Sequence, residues 1–131
     1  MITGVGRVVL QVVDQDAAKA FWTEKVGFEC LQDTTVGDER WLEVRPSGGG
    51  PVIALVAGGV SAPEDDGTSM PTSNVFFECD DILATHAELS AKGVSFSQPP
   101  TQQFFGWWAV IEDPDGQRHA LRQRDDEPLH T

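Results

Sequence analysis

The chain carries the same short pattern twice, and this internal similarity constrains its fold more than any other feature. Each copy is an apolar run that leads to Asp, followed by an amphipathic stretch that ends at Gly. The aspartates are Asp14 and Asp81, and the glycines are Gly27 and Gly93. The glycine follows the aspartate by 13 positions in the first pair and by 12 in the second. Similarity at this range indicates a duplicated strand–helix unit, although two unrelated units of ordinary length would look alike.

Hydrophobic periodicity predicts one helix and four strands in each half. In the first half, the order strand, helix and three strands falls at about residues 5–13, 15–26, 28–35, 39–46 and 51–57. The second half repeats this order at about 73–79, 82–92, 94–98, 106–112 and 117–123. Asp14 is the expected N-cap of the first helix, and Gly27 is the expected left-handed residue after it. The predicted fold class is α+β, with two βαβββ modules.

A length of 131 residues suits a single domain with a substantial core. We expect module one at about 5–57, a flexible linker at about 58–72, module two at about 73–124 and a polar tail at 125–131. The linker prediction rests on Gly, Pro, Ser and acidic residues without a hydrophobic pattern.

Composition excludes some classes of function. The net charge of −12 argues against nucleic-acid binding and permits attraction of a cationic small molecule. No apolar run approaches the ~18 residues of a membrane span, and no signal-peptide pattern opens the chain, so a cytoplasmic location and no membrane partner are expected. Cys30 and Cys79 lack metal-site spacing. Cys79 is expected to be a small core residue in a reducing compartment.

Asp113-Pro-Asp-Gly116 predicts a tight turn before the last strand. Pro suits the second turn position, and Gly takes a dihedral angle that a side chain disfavours. No Gly-x-Ser-x-Gly motif, phosphate-binding loop or Ser-His-Asp order at useful positions is found in the sequence.

The βαβββ repeat, the two Asp-to-Gly helices and the Asp-Pro-Asp-Gly turn together resemble the vicinal oxygen chelate superfamily over about residues 5–124. That superfamily includes glyoxalase I, extradiol dioxygenases, fosfomycin-resistance enzymes and bleomycin-resistance proteins. The resemblance implies two curled sheets that form a cup, and a divalent metal held in the cup by four residues. It also implies a homodimer, because bleomycin-resistance proteins enclose the drug between paired chains.

Counting from the shared landmarks carries the four metal positions onto this chain. They fall at Arg7, Ala54, Asn74 and Ala120. Arg and Ala have no lone pair to donate, and Asn is a weak neutral ligand. We therefore predict that the chain binds no metal and no cofactor, unless the register slips by one residue. In this respect the chain is most similar to the metal-free bleomycin-resistance proteins. The histidines are expected to be structural or solvated, not ligands: His86, His119 and His130.

Strand alternation predicts what fills the cup instead. The candidate ligand-binding residues are Arg7, Gln11, Trp41, Asn74, Phe76, Glu78, Phe105, Trp107, Trp108 and Arg118. Of Trp107 and Trp108, only one should face the cup. Alternatively, Arg7 and Glu78 form an ion pair in the space that a metal leaves. Trp22 or Trp41 could instead lie at a dimer contact.

Two classes of function remain. An aromatic cup with a few polar groups suits sequestration of a small aromatic or cationic organic ligand. The alternative is an enzyme that has lost the metal, such as a lyase, isomerase or epimerase, with Glu78 as the candidate catalytic base and Arg7 or Asn74 stabilising an oxyanion. A metal-dependent glyoxalase or dioxygenase ranks last because its ligands are missing.

Overall fold

The computed structural model describes residues 1–59 and 69–123. The centre of the predicted linker, the tail predicted at 125–131 and His130 lie outside the described residues. The chain divides into two compact units, Met1–Ser61 and Ala62–Thr131, and their boundary falls inside the predicted linker. Each unit holds one four-stranded mixed sheet with helix on one face, which confirms the α+β fold class.

The first module consists of β1 (Arg7–Val12), α1 (Gln15–Ala20), a π-helical turn (Phe21–Lys25), β2 (Glu29–Val36), β3 (Glu39–Arg45) and β4 (Val52–Ala57). Its strands lie in the order β1-β4-β3-β2. β1 and β4 are parallel, while β4, β3 and β2 are antiparallel neighbours. This is the predicted order of elements, with helix inserted between the first strand and the rest.

Helix α1 begins at Asp14, as predicted. The Asp14 side chain accepts hydrogen bonds from the backbone N–H groups of Asp16 and Ala17 at 2.9 and 3.1 Å. The predicted single helix over 15–26 is an α-helix that widens into the π-helical turn, before Gly27 adopts a φ of +93°. That turn carries Trp22, which is only 1% exposed and stacks on Phe28. The suggestion that Trp22 lies at a dimer contact is therefore wrong.

The second module consists of β5 (Phe76–Cys79), α2 (Ile82–Ala91), β6 (Phe96–Gln103), β7 (Gly106–Glu112) and β8 (Arg118–Gln123). The strand order is β5-β8-β7-β6, with β5 and β8 parallel and the other pairs antiparallel. The Asp81 side chain caps α2 by accepting from the N–H of Ala84 at 3.1 Å. The two sheets thus repeat one topology, in agreement with a duplicated unit.

Two strands differ in length from the prediction. β6 continues to Gln103 instead of ending near residue 98, because Pro99 and Pro100 lie in an edge strand where missing N–H groups are tolerated. β5 begins at Phe76 instead of residue 73, because the N–H groups of Thr72 and Ser73 both donate to the Arg118 carbonyl oxygen and form no regular ladder. Asn74 consequently precedes β5.

The Asp-Pro-Asp-Gly turn forms as predicted and is fastened by Asp113. One carboxylate oxygen of Asp113 accepts from the N–H groups of Asp115 and Gln117, both at 2.9 Å. Gly116 has a φ of +80°. The other carboxylate oxygen lies 2.8 Å from Nε2 of His119, which is 2% exposed. Among the described residues, no helix is long and apolar enough to cross a membrane.

Candidate functional site

Each sheet has one face packed under helix and an opposite face, which we call the helix-distal face. In the first module, Leu42, Val44 and Leu55 are fully buried, and Gln15 of α1 donates to the Leu55 carbonyl oxygen at 2.9 Å. These contacts identify the helix side of β3 and β4. The alternating residues of the same strands therefore belong to the helix-distal face.

The helix-distal face of the first module is built around Glu43. Arg7 Nε donates to Glu43 Oε2 at 2.5 Å. Glu43 is 4% exposed, whereas the Arg7 side chain is 59% exposed. The hydrogen bond from Arg7, with a smaller contribution from the Trp41 indole, holds the pKa of Glu43 below its usual range despite burial. The carboxylate is therefore ionised at neutral pH.

Glu43 is a site residue that the sequence-based prediction missed. It lies two positions after Trp41 in β3, so alternation alone places both side chains on one face. The register confirms this, since Glu43 pairs with Ala54, and Ala54 pairs with Val9. Arg7 thus has a carboxylate partner within its own sheet, and the predicted Arg7–Glu78 ion pair is not needed to explain it.

Gln11 and Val9 extend this face along β1. Gln11 is exposed and Val9 is 57% exposed, in the alternating pattern that was predicted for the strand. Trp41 is 41% exposed although its side chain reaches Glu43. The face therefore combines one neutralised charge pair with partly exposed apolar surface.

In the second module, contacts of α2 define the helix side. The His86 ring of α2 packs edge-on against Phe96 at 4.5 Å, and the Ile82 N–H donates to the Gln123 side chain at 3.0 Å. Phe96 pairs with Ile111, and Ile111 with His119. These rows face α2, so the rows between them form the helix-distal face.

The helix-distal face of the second module carries an aromatic cluster, which we call the Trp108 cluster. It consists of Trp108, Val110 and Ala120, all buried, with Phe105 packed against them. The Phe105 and Trp108 rings are 5.9 Å apart at an angle of 77°. Phe76 pairs with Ala120 in the register and is 57% exposed. This face therefore has a buried apolar and aromatic cluster next to an exposed ring.

Trp107 does not belong to this face. It alternates with Trp108 along β7 and lies on the same side as Ala109 and Ile111, toward α2. Trp108 therefore lies on the helix-distal face of β7 and Trp107 on the opposite face. The sequence-based expectation that only one of the two would face the site agrees with this arrangement.

The polar candidates of the second module have different surroundings. Arg118 is 7% exposed, and its Nε donates to the Met70 carbonyl oxygen at 2.5 Å, so this guanidinium anchors the segment before β5. Glu78 is exposed and pairs in the register with Arg122. Asn74 is exposed and outside the strand. Arg122 donates to the Phe105 carbonyl oxygen at 3.0 Å.

The residues at the four metal positions do not fit a metal. Ala54 and Ala120 are both 0% exposed and have no donor atom, and Arg7 places a positive charge beside the carboxylate of Glu43. Within residues 1–59 and 69–123, no group of three His, Cys, Asp or Glu side chains could hold a metal ion. The chemistry of these side chains therefore disagrees with the metal site that the fold implies.

The structure brings together a Ser, a His and an Asp that sequence reasoning did not connect. His119 contacts Ser73 Oγ through Nδ1 and Asp113 through Nε2, both at 2.8 Å. However, the Thr72 and Ser73 N–H groups already donate to the Arg118 carbonyl oxygen, and the Val75 N–H donates to Ser73 Oγ. These N–H groups therefore cannot form an oxyanion hole. The triad instead fastens the turn at Asp113 to the start of the module.

Comparison with known proteins identifies the family. Residues 4–121 match the model of the Glyoxalase/Bleomycin resistance protein/Dioxygenase superfamily. The chain belongs to this superfamily.

The chain is similar to three proteins over nearly its whole length. YetH of Bacillus subtilis (strain 168) is 35% identical over 94% of this chain and 100% of its own length. The crystal structure of UcmS2 has a TM-score of 0.78 and 34% identity, covering 93% of this chain and 98% of that one. TnmS3, an antibiotic binding protein from Streptomyces sp. CB03234, has a TM-score of 0.78 and 31% identity, covering 95% of this chain and 98% of its own.

Proposed function

We propose that this superfamily member binds a small aromatic molecule without a metal and acts by sequestering it. The observation that carries the proposal is the Trp108 cluster. The fourth metal position, Ala120, is fully buried in that apolar cluster, where a metal enzyme would require a carboxylate. A homodimer in the cytoplasm that holds its ligand in a cup is part of the same proposal.

Two further observations support it. Arg7 is engaged with Glu43, so the first metal position contributes a cation where a metal would need an electron-pair donor. TnmS3, at 31% identity over nearly the whole chain, is an antibiotic binding protein. Aromatic walls with few polar groups are typical of sites for small organic ligands.

The absence of a metal requirement is tested by thermal unfolding of EDTA-stripped protein with Ni²⁺, Zn²⁺, Mn²⁺ or anaerobic Fe²⁺. A metal that binds specifically, at a hundred times its Kd, should add about 2.7 kcal/mol to the free energy of unfolding. We expect no such increase with any of them. A large rise with a single metal would contradict the proposal.

Ligand binding is tested with Phe76→Ala, because Phe76 is the exposed ring of the second module's helix-distal face. We expect the affinity for naphthalene-based probes such as 2-naphthoate, measured calorimetrically in EDTA, to fall roughly fivefold, since about 1 kcal/mol of apolar contact is lost. Leu83→Ala is a matched control, because Leu83 on α2 is also 57% exposed. Equal affinities of both variants and the wild type would count against this binding face.

A further inference from the structure

One hydrogen-bond donor on the second module's helix-distal face lacks an acceptor. Trp108 is 8% exposed, and its indole Nε1 is buried with no hydrogen-bond partner in the part of the chain that the structure describes. A buried indole N–H normally finds an acceptor, and one without a partner requires an explanation. A ligand that supplies a hydrogen-bond acceptor would explain why the indole N–H has no partner.

Two acceptors near Trp108 are already engaged with other donors. Thr101, the register partner of Trp108 on β6, accepts a hydrogen bond from the Gln98 side chain at 2.6 Å and donates to the Pro99 carbonyl oxygen at 2.9 Å. The Phe105 carbonyl oxygen accepts from Arg122 at 3.0 Å. These two oxygens therefore serve other donors, and the indole N–H of Trp108 remains available to an acceptor from a ligand.

The surroundings of the indole favour a flat ligand with a negative oxygen. Arg122 is the register partner of Trp108 on β8, and its guanidinium carbon lies 5.9 Å from the centre of the Phe105 ring. A guanidinium strengthens binding of an ionised oxygen acceptor and repels a cation. The Phe76 and Phe105 rings supply surface for an aromatic body.

We infer that the ligand of this face is a flat aromatic molecule with an anionic or carbonyl oxygen, and that this oxygen accepts the Nε1–H of Trp108 beside Arg122. The inference rests on the proposed function and names its ligand class. It replaces the cationic ligand that the net charge of −12 permitted, because local side chains decide recognition at contact distance while screened surface charge does not.

Access to the indole N–H requires a local movement. Its nitrogen is buried, and the Phe105 ring packs against the indole. Phe105 and Phe104 form the two-residue tip between β6 and β7, and Phe104 is 96% exposed. Binding therefore displaces the Phe105 ring at this tip and exposes the indole N–H to the ligand.

Three probes with one ring system test the inference: 2-naphthoate, 2-naphthamide and 2-naphthylmethylammonium. The wild type should bind the carboxylate most tightly and the amide next, with the ammonium at least tenfold weaker than the carboxylate. Trp108→Phe should remove most of this preference, whereas Trp107→Phe, a change of the neighbouring ring on the other side of β7, should preserve it. Glu78→Gln should not weaken binding of 2-naphthoate, because the carboxylate of Glu78 is not its partner.

A spectroscopic measurement on the wild type avoids dependence on the variants. The protein has four tryptophans, and comparison with Trp108→Phe assigns the indole ¹⁵N–¹H signal of Trp108. Adding 2-naphthoate should move that proton signal downfield, and adding the ammonium probe should not. If all three probes bind equally and the Trp108 signal does not respond, the acceptor inference is wrong while the proposed binding function stands. If none of the probes binds, the proposed function fails and the inference fails with it.

Discussion

Single residues show how this chain places charge on the helix-distal faces of its sheets. The carboxylate of Glu43 is 4% exposed but accepts a hydrogen bond from Arg7, and the Trp41 indole also favours its ionised form. Burial would favour the neutral acid, and the hydrogen bonds favour the ion more strongly, so the pKa of Glu43 lies below its usual range. Neighbouring side chains therefore stabilise this buried charge.

The low pKa of Glu43 predicts a pH-dependent contribution to stability. A carboxyl group whose pKa is lower in the folded state stabilises the fold above the unfolded pKa, and this stabilisation is lost as pH falls through the folded pKa. Glu43→Gln should therefore lower the free energy of unfolding by on the order of 1 kcal/mol at pH 7. The difference from the wild type should shrink below about pH 4.5. Urea unfolding of both proteins between pH 3 and 7 measures this.

Glu29→Gln is the matched control for that series. Glu29 also binds an arginine, Arg45, at 2.9 Å, but its side chain is 53% exposed. Solvent screens such a pair, so its loss should change the stability little at any pH. A Glu43→Gln effect that stays constant from pH 3 to 7 would contradict the assigned ionisation.

The buried contacts of His119 predict a second residue-scale effect. His119→Phe keeps a ring at a position that is 2% exposed, but leaves Asp113 and Ser73 without their contacts to the imidazole. We expect the free energy of unfolding to fall by about 2–3 kcal/mol, since a buried charged acceptor loses its donor. Ser73→Ala should cost less, because only a neutral contact is lost. A change below 0.5 kcal/mol (roughly the noise of a surface substitution) for His119→Phe would show that this contact does not fasten the turn.

The sequence predicted the faces of most site residues because strand alternation is a two-residue pattern. It placed Gln11 and Phe76 correctly on the helix-distal faces. It did not decide which of Trp107 and Trp108 lies on the helix-distal face. Adjacent strand residues point to opposite faces, and the register of the hairpin decides which residue takes which face. Glu43 was missed because it does not fall at any of the four metal positions carried over from the family.

Secondary-structure elements were predictable where their ends carry local chemical signals. Asp14 and Asp81 cap the helices that follow them, and Gly27 and Gly93 have positive φ angles after them. The π-helical turn was not predictable, because its wider winding depends on how Trp22 and Phe21 pack in the core. The length of β6 was also missed, because a strand tolerates proline only at an edge of the sheet, and its position in the sheet depends on which strands pair with it.

The end of β4 allows an element-scale prediction at Gly59. The Gly59 N–H donates to the Val12 carbonyl oxygen, and a Cβ at Gly59 would lie 2.8 Å from the Gln11 carbonyl oxygen. Gly59→Ala should therefore push the chain after β4 away from β1 and lower the free energy of unfolding by roughly 1–3 kcal/mol. Chemical denaturation measures the loss.

Gly48→Ala is the appropriate control for Gly59→Ala. A Cβ at Gly48 would meet nothing within 4 Å, and its backbone is not in the left-handed region. Its stability should be unchanged or slightly higher, because alanine restricts the unfolded chain. Equal stabilities of the two variants would mean that the close approach at Gly59 relaxes without cost.

At the scale of the whole molecule, the excess of acidic residues sets the response to salt. The net charge is −12, and self-repulsion of this size destabilises a folded chain. Ion pairs such as Arg40–Asp33 act in the opposite direction, but Arg40 and Asp33 are both partly exposed and gain little in water. Repulsion should therefore dominate.

Raising NaCl from 20 to 200 mM should increase the free energy of unfolding by on the order of 0.5 kcal/mol, since screening shortens the range of the repulsion. Urea unfolding at pH 7 measures this, and choline chloride at equal ionic strength checks that sodium is not bound specifically. A decrease in stability with both salts would show that attractive pairs outweigh the net charge.

Pro99 and Pro100 in β6 also affect how molecules of this protein can associate. β6 is an edge of its sheet, and successive N–H groups of a strand point to opposite edges, so one of these two prolines removes a donor that an incoming strand would need. An approaching chain would find a gap in the hydrogen-bond ladder, so growth of the sheet from this side is disfavoured. Crowded newly made chains are thereby less prone to join edge to edge along β6.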